Sequence, residues 1–302
     1  MTQWPEPRHE LFEGSEIPPR EDLVPDDLPE NVSRETSLPR PWRTRVIVIA
    51  NQKGGVGKTT SAVNLAAALA FGGLRVLLVD MDPQGNASTA LGVDHRQGIR
   101  GTYEVLLDGD AMEWHVVKSN EAPGLWVLPA TIDLAAAELE LVSIAGRERR
   151  LADALDGYLR THTYDYVLFD CPPSLGLLTL NALVAAKEIL IPIQCEYYAL
   201  EGVSQLLRTI DLVKGNLNDE LTLSTVLLTM FDGRTRLSTQ VADEVRTHFP
   251  AETLAAVIPR SVRVSEAPSY GQTVITYHKA SAGGQAYLKA AAEIAARGQQ
   301  QS

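Results

Sequence analysis

The stretch Val46-Ile47-Val48-Ile49-Ala50-Asn51-Gln52-Lys53-Gly54-Gly55-Val56-Gly57-Lys58-Thr59-Thr60 decides the reading of this chain. It opens on an apolar run of strand length, turns through Gly54, Gly55 and Gly57, and continues into an Ala- and Leu-rich segment of helical length. A glycine-rich turn between strand and helix lets successive backbone N–H groups converge on an anion with no Cβ in the way. The helix adds the partial positive charge of its N-terminus. This is the pattern of a phosphate loop for a nucleotide. It predicts that Gly54, Gly55, Val56 and Gly57 cradle the phosphates of ATP. Lys58 then reaches the β- and γ-phosphates, the Thr59 hydroxyl sits on Mg²⁺, and Thr60 donates to the α-phosphate. One departure matters. The standard pattern has Gly five positions before Gly57, but Gln52 stands there, and Lys53 adds a second lysine. This is the deviant form of the loop.

Outward from the loop, apolar runs of strand length alternate with helix-length segments. Strands are predicted over 46–50, 75–80, 125–128, 166–170, 188–193, 221–228 and 253–258. Helices are predicted over 60–71, 134–143, 148–159, 179–186, 200–213, 238–247 and 284–296. Continuous apolar runs suit strands buried on both faces of a parallel sheet. The β-α alternation implies an α/β fold of the P-loop NTPase type: a doubly wound, mostly parallel sheet with helices on both faces. No internal repeat is present, and residues 43–298 read as one domain.

Strand ends at the carboxyl edge of such a sheet face the ligand crevice. Asp80 and Asp82 leave the second strand in Val79-Asp80-Met81-Asp82-Pro83-Gln84-Gly85-Asn86. Asp82 is placed to orient or activate an attacking water. Asp80 either supports the metal shell or holds the loop by capping nearby N–H groups. Asp170 closes the run 166–169 and precedes Cys171-Pro172-Pro173-Ser174. It occupies the place of the acid that holds a water on Mg²⁺. Cys171, with no histidine nearby in sequence, reads as packing and not as a nucleophile.

Residues 1–42 differ from the rest. They hold eight of the 17 prolines, and ten acids against four arginines leave this segment at −6 of the chain's net −11. No periodicity persists there, so the segment reads as a disordered, acidic, Pro-rich tail. It is either a solvated tail or a carrier of a short partner-binding segment around Trp4, Leu11 and Phe12. Residues 299–302 read as a polar C-terminal tail. There is no apolar run of the ~20 residues that would cross a bilayer, nor a basic start followed by an apolar stretch. Cys171 and Cys195 are far apart, which argues against a metal-spaced pair or a disulfide. The expected compartment is the cytoplasm. A net acidic chain is a poor default nucleic-acid binder, yet Arg234, Arg246, Arg260, Arg263 and Lys279 form a locally basic stretch.

Together with the loop, 80–87 and 170–176, three further runs carry a resemblance: Gln194-Cys195-Glu196-Tyr197-Tyr198-Ala199-Leu200-Glu201-Gly202, Leu228-Thr229-Met230-Phe231-Asp232-Gly233-Arg234-Thr235, and Ile258-Pro259-Arg260-Ser261-Val262-Arg263-Val264-Ser265-Glu266-Ala267-Pro268-Ser269. Over residues 44–298 the chain resembles the ParA/Soj chromosome-partitioning ATPases. The resemblance implies an ATP-driven sandwich homodimer in which Lys53 reaches the partner's nucleotide. It implies catalytic roles for Lys53, Lys58 and Asp82, metal roles for Thr59 and Asp170, and a place by the adenine for Pro259 and Ser261, where the family often has Asn for Ser261. It also implies non-specific binding of double-stranded DNA, with Arg234, Arg246, Arg260 and Arg263 as candidate contacts. Release would follow hydrolysis stimulated by a ParB-type protein, and the location would be the nucleoid. A MinD-like membrane-cycling ATPase is the nearest alternative, but 284–302 offers too small an apolar face for an anchor. A reductase-type protein with an intersubunit iron–sulfur cluster would need thiolates in another context than Cys171 and Cys195. A small-molecule ligase or kinase would lack a use for the downstream motifs.

Overall fold

The computed structural model describes residues 37–197 and 201–299. The readings made for 1–36, for 198–200 and for 300–302 lie outside the described residues.

Eight strands form one sheet: β1 (Arg45–Ile49), β2 (Val76–Asp80), β3 (Val117–Lys118), β4 (Leu125–Leu128), β5 (Tyr166–Asp170), β6 (Glu188–Gln194), β7 (Thr222–Phe231) and β8 (Thr253–Pro259). Their order is β3-β4-β2-β5-β1-β6-β7-β8. Every pairing is parallel except that of β3 with β4. The helices between them are α1 (Lys58–Phe71), α2 (Asn86–Ala90), α3 (Thr102–Leu107), α4 (Leu134–Glu140), α5 (Arg150–Leu159), α6 (Leu177–Ala185), α7 (Glu201–Asn216), α8 (Arg236–His248), α9 (Val262–Glu266), α10 (Val274–Tyr277) and α11 (Ala282–Gln299).

Alternation along the buried strands divides the core in two. Val46 and Val48 of β1 and Leu77 and Val79 of β2 enter one apolar cluster, with α3 to α8. Ile47, Ile49, Val76 and Leu78 enter the other, with α1 and α11. The sheet is doubly wound and covered on both faces, as the continuous apolar runs required. α1 is buried without a break from Ser61 to Ala70. Its alanines allow that, because a helix apolar on all sides belongs in a core. The chain is attached to this body before Arg45: Leu38 N donates to Gly72 O at 2.9 Å, and the Leu38 side chain lies against Gly72.

The elements depart from the sequence reading in length and in the short pieces. β7 runs to Phe231, three residues past the predicted end. The two-residue β3 and the four- to six-residue helices α2, α3, α9 and α10 were not predicted. They are too short to show a period. Predicted helix 134–143 is α4 followed by a 3₁₀ turn over Leu141–Ser143.

β1 lies between β5 and β6, so the chain reverses its direction of winding at β1. In an open α/β sheet the crevice outside the carboxyl ends of the strands at this point is where ligands bind. The phosphate loop follows β1, Asp82 follows β2, and Asp170 ends β5.

Candidate nucleotide site

The loop is held from two sides. Lys53 N donates to Asn51 Oδ1 at 3.0 Å, while Asn51 Nδ2 donates to Pro192 O of β6 at 2.8 Å. Thr229 Oγ1 of β7 donates to Val56 O at 2.8 Å. Gly55 and Gly57 have φ of 75° and 89°. A β-carbon is disfavoured at such angles, which is why glycine stands there. Lys58 is buried, and its Nζ donates to Lys53 O at 3.2 Å across the mouth of the turn. Burial lowers its proton affinity, and Asp170, Cys171 and Asp82 oppose that. Among the described residues the Lys53 ammonium makes no hydrogen bond or ion pair.

The three carboxylates behave differently. Asp80 is fully buried, and its oxygens accept from Asp82 N (3.1 Å), Ser88 N (2.9 Å) and Ser88 Oγ (2.7 Å). Burial pushes its carboxyl up to about 7. Its hydrogen bonds hold the turn that carries Asp82, which favours the loop-holding alternative of the sequence reading. Asp82 Oδ1 accepts from Gln84 N at 3.0 Å, and the residue lines the cleft. Asp170 stands level with Asp80 on the neighbouring strand. Both its oxygens are buried and have no hydrogen-bond partner among the described residues. Burial, and then Asp80, raise its proton affinity well above the usual carboxylate range, while Thr59 and Lys58 oppose this. A buried carboxylate left without a donor, beside a hydroxyl, suits a hard cation with oxygen ligands. The donor set of Thr59 and Asp170 therefore fits Mg²⁺. Burial also raises the Cys171 thiol far above its ordinary value, which agrees with packing and not nucleophilic chemistry.

A cleft of about 510 Å³ is lined by Gly54, Gly55, Gly57, Lys58, Thr59, Thr60, Asp82, Gln84, Asn86, Pro173 and Met230. A second recess of about 210 Å³ shares Gly57, Thr60 and Met230 with it and adds Pro259, Arg260, Ser261, Val264 and Tyr287. A polar phosphate compartment thus continues into a smaller one at the ends of β7 and β8. Both Pro259 and Ser261 lie in the second.

Sequence reasoning missed one of the three residues shared by the two compartments. Met230 has φ 51°, the sole positive φ outside glycine among the described residues. Strain of this kind in a non-glycine residue persists where surrounding structure imposes it. No local pattern announces it. It also missed Asn64, whose Nδ2 donates to Thr60 O at 2.7 Å and whose Oδ1 accepts from Val274 N at 2.8 Å. Asn64 ties the phosphate end of α1 to α10, and a polar residue inside an otherwise buried helix was the available signal.

The AAA domain model matches residues 44–223. The chain is 53% identical over 253 residues to the chromosome partitioning protein ParA of Caulobacter vibrioides, covering 84% of this chain and 94% of the relative. It is 52% identical over 254 residues to the sporulation initiation inhibitor protein Soj of Bacillus subtilis, covering 84% and 99%. This chain belongs to the ParA/Soj family of chromosome-partitioning ATPases. Among solved structures, a Mycobacterium smegmatis protein titled cobyrinic acid a,c-diamide synthase, with ADP and magnesium bound, matches at TM-score 0.71 and 41% identity, over 82% of this chain and 92% of that one. The septum site-determining protein MinD of Pyrococcus horikoshii, complexed with Mg-ADP, matches at 0.66 and 27%, over 83% and 96%.

In this ParA/Soj chain the basic residues do not form one uniform patch. Arg234 follows β7, Arg260 follows β8 and Arg263 is on α9, all at the carboxyl edge. Arg234 and Arg260 both act on Asp232, which is held down to about 2, chiefly by its hydrogen bond from Arg234. Arg246 lies in the last turn of α8, roughly 15 Å along the helix from its start at 1.5 Å per residue. Arg234, Arg246 and Arg263 each pair with a carboxylate of their own chain: Asp232 at 2.8 Å, Asp243 at 3.6 Å and Glu266 at 3.0 Å. Lys279 stacks over Phe71 at 5.7 Å. Exposed pairs of this kind are worth little and exchange readily for another anion.

Proposed function

We propose that this protein is a partitioning ATPase that hydrolyses Mg-ATP to ADP and phosphate. Its ATP-bound homodimer would bind double-stranded DNA without sequence preference, and a ParB-type protein would stimulate hydrolysis and release it. The observation that carries the reading is the pair of lysines in one loop. Lys58 is buried and turned onto the loop carbonyl, whereas the Lys53 ammonium has no partner among the described residues.

The amides of Gly54, Gly55, Val56, Gly57 and Lys58 bind the phosphates, and Thr60 adds its hydroxyl. Lys58 neutralises charge building on the β–γ bridge. Asp82, held by the Asp80-braced turn, orients the attacking water and receives its proton. Thr59 and Asp170 would hold magnesium, which when bound screens the charge on the β- and γ-phosphates. Pro259 and Ser261 flank the base. Lys53 gains an anionic partner when a second subunit brings its nucleotide across the interface, so nucleotide and dimerisation are linked. Dimerisation brings twice the number of basic side chains to DNA, and several weak phosphate contacts suffice for non-specific affinity. The expected location is the cytoplasm, on the nucleoid.

Duplex DNA binding measured by anisotropy with ATP, ADP or no nucleotide tests this. Binding that requires ATP and is indifferent to sequence supports it, and equal binding in all three conditions refutes it. No described helix is long and apolar enough to cross a membrane. Liposome sedimentation separates the MinD-like alternative, which requires ATP-dependent pelleting with vesicles.

A further inference from the structure

Helix α6 begins without a cap of its own: its N-cap is Gly176, which has no side chain to offer. The first turn of a helix leaves N–H groups that need acceptors. Here they come from another helix. Leu177 N and Leu178 N donate to the two carboxylate oxygens of Glu138 on α4, at 2.9 and 3.3 Å. Gly176 stands against the same carboxylate, and a Cβ there would collide with both oxygens. The φ of Gly176 is −80°, open to any residue. The glycine therefore leaves room for the Glu138 carboxylate, which the backbone itself does not demand.

What this clasp holds bears on the nucleotide site. Residues 171–176 run from Asp170 to α6, and Pro173 lines the phosphate cleft. One end is fixed by β5. The middle is braced by Thr179 Oγ1, which donates to Ser174 O at 2.7 Å. The other end is fixed by Glu138. The root of α4, in turn, is bonded to the Asp82 side of the cleft. Ala130 N donates to Ser88 Oγ at 3.3 Å, and Ser88 Oγ donates to Asp80. Glu138 thus joins the segment after Asp170 to the helix whose base is tied to the turn carrying Asp82.

We propose that Glu138 is a positioning residue for ATP hydrolysis: its clasp on the start of α6 sets segment 171–176 against the Asp82 turn in the arrangement that turnover needs. The proposal rests on the ATPase reading above. A carboxylate at a helix start also favours the N-terminal partial charge, so the glutamate suits this place twice over.

The test is a double-mutant cycle in the full chain, with steady-state kcat, nucleotide Kd and amide hydrogen exchange. Glu138→Ala removes the clasp, and Gly176→Ala displaces the carboxylate while leaving an allowed backbone. Each should lower kcat by roughly tenfold or more, the size of effect that misplaced catalytic groups produce. ATP affinity should stay within about threefold, because the phosphate loop is untouched. Exchange at Leu177 and Leu178 should quicken while the amides of β1 and β5 keep their protection. The double variant should be no slower than either single one, since both break the same contact. Glu138→Gln, which keeps an acceptor, should recover most of the rate. Unchanged kcat in Glu138→Ala overturns the proposal, as do effects that multiply in the double variant or a rate loss matched by lost ATP affinity and lost protection throughout the sheet. If the unsubstituted chain fails to turn over ATP, the functional reading falls, and exchange judges Glu138 alone. Nucleotide-induced protection of 171–176 that persists in Glu138→Ala then overturns it, and protection lost in that variant supports it.

Discussion

Replacing Lys58 by Ala removes the charge that the loop buries. The lysine is only 7% exposed, and its Nζ is hydrogen-bonded to Lys53 O. It is held for a ligand at a cost, since burial lowers its proton affinity. A charge-assisted hydrogen bond from such a group to phosphate contributes about 1.5–3 kcal/mol. Losing about 3 kcal/mol weakens ATP by roughly two orders of magnitude. Thermal unfolding reads this directly. At an ATP concentration about 100-fold above the native Kd, binding stabilises the native chain by about 2.7 kcal/mol. In the variant the same concentration is near Kd, and the stabilisation falls to about 0.4 kcal/mol. At about 2–4 °C per kcal/mol for a domain of this size, the ATP-induced shift should drop from about 5–11 °C to about 1–2 °C. A Lys58→Ala protein that keeps the full shift would refute the assignment of the loop.

Asp82→Ala should bind ATP with near-native affinity, hydrolyse it poorly and accumulate as a DNA-bound dimer; unchanged turnover in a phosphate-release assay would move the catalytic role elsewhere. Lys53→Ala should retain nucleotide binding but lose partner-stimulated hydrolysis, and full stimulation by a ParB-type protein would show that Lys53 is not used across an interface. Charge reversal at Arg246, Arg260 or Arg263 should weaken DNA binding and flatten its salt dependence, whose slope is about −0.9 per phosphate neutralised; binding that survives all three reversals would exclude this surface. The Asp80 carboxyl, raised by burial from 3.8 to about 7, should make nucleotide-free stability fall as pH rises toward 7. Native Asp80 holds its proton where the unfolded chain has released it, so stability is lost progressively between pH 3.8 and about 7, the folded-state value, and levels off above it. Denaturant unfolding from pH 4 to 8 checks this; Asp170→Asn, which removes a second buried carboxyl whose proton affinity is raised, should lessen the fall, and a rising profile in the native chain would contradict the burial argument.

Some of this was legible in the residues because the physics acting on them is local. A run such as 46–50 is apolar at every position, and that pattern survives only where both faces are covered. A phosphate loop needs glycines at fixed offsets and a lysine beside them, whatever the rest of the chain does. Asp82 and Asp170 could be placed at the cleft because one follows an apolar strand and the other closes one, and strand ends in this fold meet at one edge. What remained hidden depends on residues distant in sequence. Asp80 had two possible roles until Ser88 was found bonded to it. Met230 takes its left-handed backbone where β7 and β8 end beside Gly57, and nothing in its neighbours along the chain signals that. Thr229 braces Val56 from 173 positions away, and Glu138 caps a helix 39 residues downstream. The arginines looked like one basic stretch, yet α8 carries Arg246 away from Arg234, and each has a carboxylate of its own. Sequence alone determined the kind of loop, the covered parallel sheet and the acids at its edge, because spacing and hydrophobic period are carried by adjacent residues. Only the tertiary structure decided which carboxylate is braced and which stands without a hydrogen-bond partner among the described residues, because that depends on groups the fold brings together from separate strands and helices.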